Sequence, residues 1–452
     1  MKMGQSMRLT IQLHHGGTWH DAATLTLADA DAGVAGSSVV SYEANYFLEH
    51  GAIPLSEGQP LTDARAVSVM SPVDLEDRSY PGWPPFLLDL MPQGHARRKL
   101  SEHLGINPDA PSSEVRLLLR GAGAPVGNLR IKEAAEAEAE RLHDAPRQGV
   151  TRDDILDKSE VFLEVADRFA MVASGSSGLQ GEWPKIAMTR ARDGRWYPDP
   201  VVPDTQAVAH VIVKLLRSNE ESDRLILEGE AAYAAVAKAF GVRVGLPLVH
   251  RNGVLVIPRF DRRIAPDGLV RRGQESIVSA IGVSAFGHVE AHETYLDMIR
   301  AVSADPMADV AEYLKREVLN QAMGNPDNHG RNTALAKDAS GQVRLTPLFD
   351  FAPMRLAPAD TGRPTKWACM RASGRDHAPD WTIVCEAAAG NDLDPGALLA
   401  ILREAEERVR ALPRTAREHG VPEAVVSRAI GDRPAGIADT IAAIPPLGRT
   451  PR

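Results

Sequence analysis

The sequence predicts an α+β chain with a small β-rich module at its N-terminus, a mixed lobe after it, and a mostly helical C-terminal lobe. Three observations predict this. Leu9, Ile11 and Leu13 alternate with polar residues, the period-two pattern of a half-buried strand. Residues 185–189 and 209–216 are short apolar runs that read as strands, the first preceded by a glycine- and serine-rich stretch at 174–181. From residue 291 onward, apolar residues recur at helical spacing over 293–302, 307–323, 391–412 and 422–428.

At 452 residues the chain is long enough for two or three domains. Hydrophobic residues at 44% and charged residues at 25% are ordinary for a globular protein. A net charge of -9 argues against a global basic footprint for nucleic acid. The two cysteines, Cys369 and Cys385, fit no metal-ligand spacing and suit a reducing compartment. No run of 18 apolar residues suggests a membrane span, and residues 1–13 carry no signal-peptide core, so cytoplasmic residence is expected.

In the N-terminal module, Gly16 and Gly17 predict a turn, residues 23–27 its hairpin partner, 39–42 a further strand and 46–50 a short helix. Pro92 suits the start of a helix carrying His95, Arg97, Arg98 and Lys99, a basic cluster that fits a solvated face or an acidic partner. Residues 115–119 read as helix and 128–131 as the strand that closes a module over 1–131. The Ala/Glu-rich stretch 132–150 reads as a charged helix or a flexible connector, and a domain boundary is expected near it. Thr151 and Asp154 have capping-box spacing and predict one helix running to about Phe169.

The chemistry-bearing residues come next. In Gly324-Asn-Pro-Asp-Asn-His-Gly-Arg-Asn332, four residues separate Asp327 from Asn332. That is the spacing of a kinase catalytic loop, where the Asp takes the proton of the attacking hydroxyl and the Asn holds magnesium. Asn, Asp and Gly also crowd into any ordinary turn. The second signal is Asp350-Phe351-Ala352, expected at the end of a strand and similar to a metal-binding Asp-Phe-Gly. A transferring phosphoryl group needs its charge neutralised, and Mg²⁺ takes carboxylate and amide oxygens. The glycine- and serine-rich loop carries Ser176, Ser177, Gly178 and Gly181. Its backbone N–H groups could cover phosphates, although a linker has the same composition. Lys214 lies among apolar neighbours, where an ammonium must snorkel outward or find an acidic partner. A helix over 225–240 offers Glu228 and Glu230, of which Glu230 is favoured. The strand ending at Ile257 leads to Phe260, a candidate wall for an adenine, while Arg259 and Asp261 suit a structural ion pair. Residues 357–379, with Arg363, Lys366, Arg371 and Arg375, read as a basic loop for an acidic substrate or as plain disorder, and the tail from 445 as disordered.

Taken in order, residues 90–97, the loop ending in Lys185, 210–214, 256–262, 327–332 and 349–351 resemble the HipA-type serine/threonine kinases of bacterial toxin–antitoxin systems. The resemblance covers nearly the whole chain, and residues 176–185 look closest to the YjjJ-like branch, also called HipH. It implies a two-lobed protein-kinase-like fold, with an N-lobe over 151–265 and a helical C-lobe over 266–444. It also implies ATP and Mg²⁺ as cofactors. Asp327 would be the catalytic base, with His329 supporting it. Asn332 and Asp350 would hold Mg²⁺, and Lys214 the ATP phosphates. Gly178 stands where the family carries an autophosphorylated serine, which leaves Ser176 or Ser177 as the neighbouring hydroxyls. The implied function is a growth-arresting or persistence toxin acting on a protein substrate. Its partner would be a separate helix-turn-helix antitoxin, with any DNA contact only indirect through that antitoxin. A metal-dependent nuclease (DNase) toxin that reuses Asp327 and Asp350 is the rival enzyme class. A non-catalytic module that binds a partner is the third reading.

Overall fold

The alternation at Leu9, Ile11 and Leu13 becomes strand β1 (Met7–His15), paired antiparallel with β2 (Thr18–Leu27) across the predicted turn. The computed structural model describes residues 5–51, 62–143, 147–173, 183–266, 268–358, 364–373 and 379–444. The predicted loop with Ser176, Ser177, Gly178 and Gly181, the basic positions Arg363 and Arg375, and the tail from 445 lie outside the described residues. The chain divides into two compact units. The first comprises Met1–Arg217, Val249–Gly287 and Leu335–Val343, and the second Ser218–Leu248, His288–Ala334 and Arg344–Arg452.

In the first unit, β3 (Ser38–Tyr42), β4 (Arg78–Tyr80) and β5 (Leu129–Ile131) complete a five-stranded sheet in the order β4-β3-β2-β1-β5. Its buried face, with Ile11, Leu13 and Leu25, packs against Trp83, Leu87, Leu117 and Leu118. Helices α1 (Gly94–Leu104), α2 (Glu114–Gly121) and α3 (Lys132–His143) accompany it. Pro92 does not open α1. Gln93 is extended, at φ -129° and ψ 164°, so the helix begins only after it. The connector reading of 132–143 resolves as helix, with Ala134 and Glu138 buried.

The capping box at Thr151 forms, Asp154 N–H donating to Thr151 Oγ1 at 3.0 Å and Thr151 N–H to the Asp154 carboxylate at 2.8 Å. The single helix expected from it is two, α4 (Arg152–Leu156) and α5 (Glu160–Ala173). Lys158 adopts φ +50°, a left-handed position that ends the first, and Ser159 Oγ accepts from Phe162 N–H at 3.2 Å to start the second. A second sheet follows, built from β6 (Lys185–Ala191), β7 (Trp196–Pro198), β8 (Ala207–Leu215), β9 (Val249–Arg251) and β10 (Val254–Pro258) in the order β7-β6-β8-β10-β9. Ile186, Met188, Val211, Val213, Val254 and Val256 face a core with Phe162 and Val165. Side chains alternate along a strand. The opposite face therefore carries Lys185, Ala187, Ile212, Lys214, Leu255 and Ile257, which the register places opposite one another.

The chain leaves β10 through a buried charge network. Arg259 donates to both Asp261 oxygens, at 2.9 and 2.5 Å, and to Asp199 at 3.3 Å, while Gly127 N–H donates to Asp261 at 2.9 Å. The pair Arg259 and Asp261 is thus structural.

The second unit is mostly helical. Helix α6 (Glu221–Phe240) starts four residues before the expected 225. It is followed by α7 (His292–Val302), α8 (Pro306–Met323), α9 (Trp381–Ala389), α10 (Pro395–Arg410), α11 (Leu412–Glu418) and α12 (Arg433–Ala442). The helix expected over 391–412 opens later, at Pro395, behind the Asp394 cap. Helices α9 and α12 had no sequence signal. Residues 381–389 are apolar on nearly every side, which leaves no polar stripe to set a period, and Pro434 and Gly436 make the start of α12 look like a loop. Among the described residues no helix is long and apolar enough to cross a membrane.

Burial pushes the Asp261 carboxyl up, but the Arg259 and Arg262 guanidiniums outweigh it and hold the group well below the usual carboxylate range. A depressed carboxyl stabilises the fold above its unfolded pKa of about 3.9, and that contribution is lost as pH falls toward the folded value. Asp261→Asn should lower unfolding stability at pH 7 by about 3 kcal/mol. Parent and variant should converge as pH drops below about 3.9, which urea unfolding at pH 7 and pH 3 measures.

Candidate active site

Helix α8 is the frame of the site. The Asp305 carboxylate caps its start, accepting from Ala308 N–H at 3.1 Å, and Pro306 occupies the first turn. Val310, Leu314, Val318 and Leu319 are fully or almost fully buried. A second face carries polar groups at helical spacing: Tyr313, Arg316, Glu317 and Asn320. The helix ends at Gly324, where φ is +71° and a Cβ would lie 2.3 Å from the Ala429 carbonyl oxygen. Only glycine fits that close approach in that conformation.

Beyond Gly324 the loop is tied back to the helix by asparagines. Asn325 N–H donates to Asn320 O at 2.8 Å and its side chain to Asn320 Oδ1 at 2.9 Å. Asn328 Nδ2 donates to Glu317 Oε2 at 2.7 Å. Thr365 N–H donates to Asn328 Oδ1 at 2.9 Å and Thr365 Oγ1 to Asn328 O at 3.0 Å. Asn332 Nδ2 donates to the Asp327 carbonyl at 2.8 Å, so its Oδ1 is left as the outward acceptor. His329 Nδ1 accepts from Arg331 N–H at 3.2 Å. That assigns the ring proton to Nε2, which lies 3.4 Å from Asp327 Oδ1.

Asp327, Asn332 and Asp350 line one cleft, together with Glu317, Asn320 and Asn328. Asp350 is not on a strand end as expected. The strand stops at Leu345, because Arg316 Nη2 takes the Thr346 carbonyl at 2.7 Å and Pro347 has no N–H for a ladder. Leu348 then makes a single parallel bridge with Val244. Asp350 itself adopts φ +53°, a left-handed position that costs about 1–2 kcal/mol for an L residue. Strain of this kind at a non-glycine residue in a cleft points to function.

The segment after Asp350 packs on α6. A Cβ on Gly229 would lie 3.0 Å from the Pro353 ring, and Tyr233 packs against Phe351 with ring centroids 5.2 Å apart while donating to Met323 O at 2.7 Å. Glu230 is buried on this helix and does not line the cleft among the described residues.

In the first unit, Lys214 is 2% exposed and does not snorkel to solvent. Its ammonium lies 5.2 Å from the Trp183 ring centroid. Lys185 stands directly opposite it on β6. Ile257 lies on the same face, whereas Phe260 sits half-buried beyond the end of β10. Cys369 and Cys385 are free thiols.

Glu317, Asn320, Asn325 and Asn328 join the site without belonging to the Asp327 and Asn332 spacing that marks it in the sequence. Polar residues at helical spacing, 313, 316, 317 and 320, running into that loop were the available signal.

Residues 177–413, more than half of the chain, match the model of the HipA-like C-terminal domain. The chain belongs to that family. Two relatives from Sinorhizobium fredii (strain NBRC 101917 / NGR234) carry the names "Putative kinase Y4mE" and "Putative kinase Y4dM". The first is 29% identical over 285 residues, covering 59% of this chain, and the second 25% identical over 348 residues, covering 73%. The match spans 63% of the length of Y4mE and 76% of that of Y4dM. The HipA chain of a Shewanella oneidensis complex of HipA, HipB and operator DNA shares the fold, with a TM-score of 0.58 at 18% identity over 96% of both chains.

Gly324→Ala should lower stability by about 2 kcal/mol or more, from the left-handed backbone alone and before the Ala429 contact is counted. Thermal unfolding of parent and variant measures it, and a Tm within one degree of the parent would show that the turn is not constrained as described.

Proposed function

We propose that the protein is an ATP- and Mg²⁺-dependent serine/threonine protein kinase of the HipA type, from the YjjJ-like branch, that acts in the cytoplasm as the toxin of a toxin–antitoxin pair. The observation that carries this reading is the convergence of Asp327, Asn332 and Asp350 on one cleft. Lobes over 151–265 and 266–444, behind an N-terminal module over 1–131, belong to the same proposal.

The donor set suits a hard cation. Asn332 presents a carboxamide oxygen because its nitrogen is bound to the Asp327 carbonyl, and Asp350 is held at a strained φ in the same cleft. Asn332 and Asp350 would hold Mg²⁺, which supplies charge neutralisation for the transferring phosphoryl group. Asp327 accepts the proton of the substrate hydroxyl. His329 Nε2–H faces the Asp327 carboxylate at 3.4 Å and orients it. Lys214 takes the ATP phosphates, with Glu230 as its helical partner. Ile257 and Phe260 meet the adenine, and Ser176, Ser177, Gly178 and Gly181 cover the phosphates. The basic residues Lys366 and Arg371 receive an acidic part of the substrate.

The partner is a helix-turn-helix antitoxin on a separate chain, through which any DNA contact is made. Support comes from the family and from the HipA structure, which holds HipB and operator DNA. A nuclease would use the two carboxylates but would give Lys185, Lys214 and the glycine-rich loop no task.

Incubation with γ-labelled ATP, Mg²⁺ and a cell lysate should label protein serine or threonine. Asp327→Ala should cut that labelling by about a thousand-fold while leaving the unfolding midpoint near that of the parent. Labelling undiminished in the variant, or plasmid cleavage by the parent with Mg²⁺ and no ATP, would overturn the assignment.

A further inference from the structure

Three histidines meet at one end of the first sheet, outside every residue given a role above. His15 ends β1, His20 lies on β2, and His50 sits on the helical turn Phe47–Gly51. One nitrogen from each lies within 4.8 Å of the other two. The rings are in mutual contact, with centroids 4.1 Å apart for His15 and His20, 4.6 Å for His15 and His50, and 4.7 Å for His20 and His50.

We propose that His15, His20 and His50 form a binding site for a divalent transition-metal ion of the zinc class. The hydrogen bonds around the rings fix which nitrogens are available. Tyr46 OH donates to Arg65 O at 2.7 Å, so its oxygen receives the proton of His15 Nε2 at 3.0 Å. His20 Nε2 donates to His15 O at 3.2 Å. In both rings Nδ1 is therefore the basic nitrogen, oriented by an outer hydrogen bond as in metal-binding imidazoles generally. His50 Nε2 is buried and has no hydrogen-bond partner among the described residues, a costly arrangement that a metal would relieve.

A transition metal binds the neutral imidazole, so uptake releases any proton the rings hold. Nitrogens bound tetrahedrally at about 2.0–2.1 Å sit about 3.4 Å apart. From separations within 4.8 Å the cluster must close by up to about 1.4 Å, with His15 and His20 turning out of their stack. An all-imidazole set selects Zn²⁺, Ni²⁺ or Cu²⁺ over Mg²⁺. Glu49, whose carboxylate reaches 3.6 Å from His50 Nε2, offers a fourth ligand.

The test uses the full chain stripped with chelator and titrated with ZnCl₂ by calorimetry, with Co²⁺ absorption as a second readout. The parent should take up one Zn²⁺ with a dissociation constant of micromolar or tighter. His20→Asn and His50→Gln should each weaken that uptake at least tenfold and abolish the tetrahedral Co²⁺ bands. Asp350→Ala, which removes a carboxylate from the other candidate cation site, should retain both signals. Circular dichroism reports folding, and either histidine variant alone suffices. No Zn²⁺ uptake by the parent, uptake unchanged in a folded histidine variant, or uptake lost in Asp350→Ala would overturn the proposal.

Discussion

The second unit depends on the reversal at the end of α8. A Cβ at residue 324 would lie 2.3 Å from the Ala429 carbonyl oxygen, and φ there is +71°, so the chain must turn at that point and carry a glycine. Asp327, His329 and Asn332 follow within eight residues. Because the turn is sharp, Asn325 reaches back to Asn320 and Asn328 to Glu317, both on the helix just left. The loop is thereby held by side chains that ran ahead of it on α8. A buried polar stripe on a packed helix costs stability unless each group is paired, and the loop pairs Glu317 and Asn320. Helix and loop are thus one construction, neither satisfied without the other.

A comparable economy governs the second sheet of the first unit. Strand alternation sends Val211 and Val213 into the core and leaves Ile212 and Lys214 on the other face. The register then sets Lys185 against Lys214. The adjoining network of Arg259, Asp261, Asp199 and Arg262 fixes the exit of β10 with charges of both signs at close range.

Much of this was legible in the sequence because it is local. Period-two alternation marked β1, a short apolar run marked β8, the spacing of Asp327 and Asn332 marked the loop, and Thr151 with Asp154 marked a cap. What escaped was set by distant contacts. The break between α4 and α5 depends on a left-handed Lys158, a residue with no intrinsic preference for that conformation. The early end of the strand before Asp350 depends on Arg316 capturing the Thr346 carbonyl from a helix about thirty residues away in sequence. The roles of Glu317 and Asn328 became visible only when the loop folded against α8. The histidine cluster joins residues 15, 20 and 50 across a hairpin and a helical turn, a spacing that no short motif describes.

Asn325, Asn328 and Asn332 tie the loop through their amides, and Gly324 makes the bend. An amide has no proton to gain or lose near neutral pH, so acidity in that range leaves these ties in place.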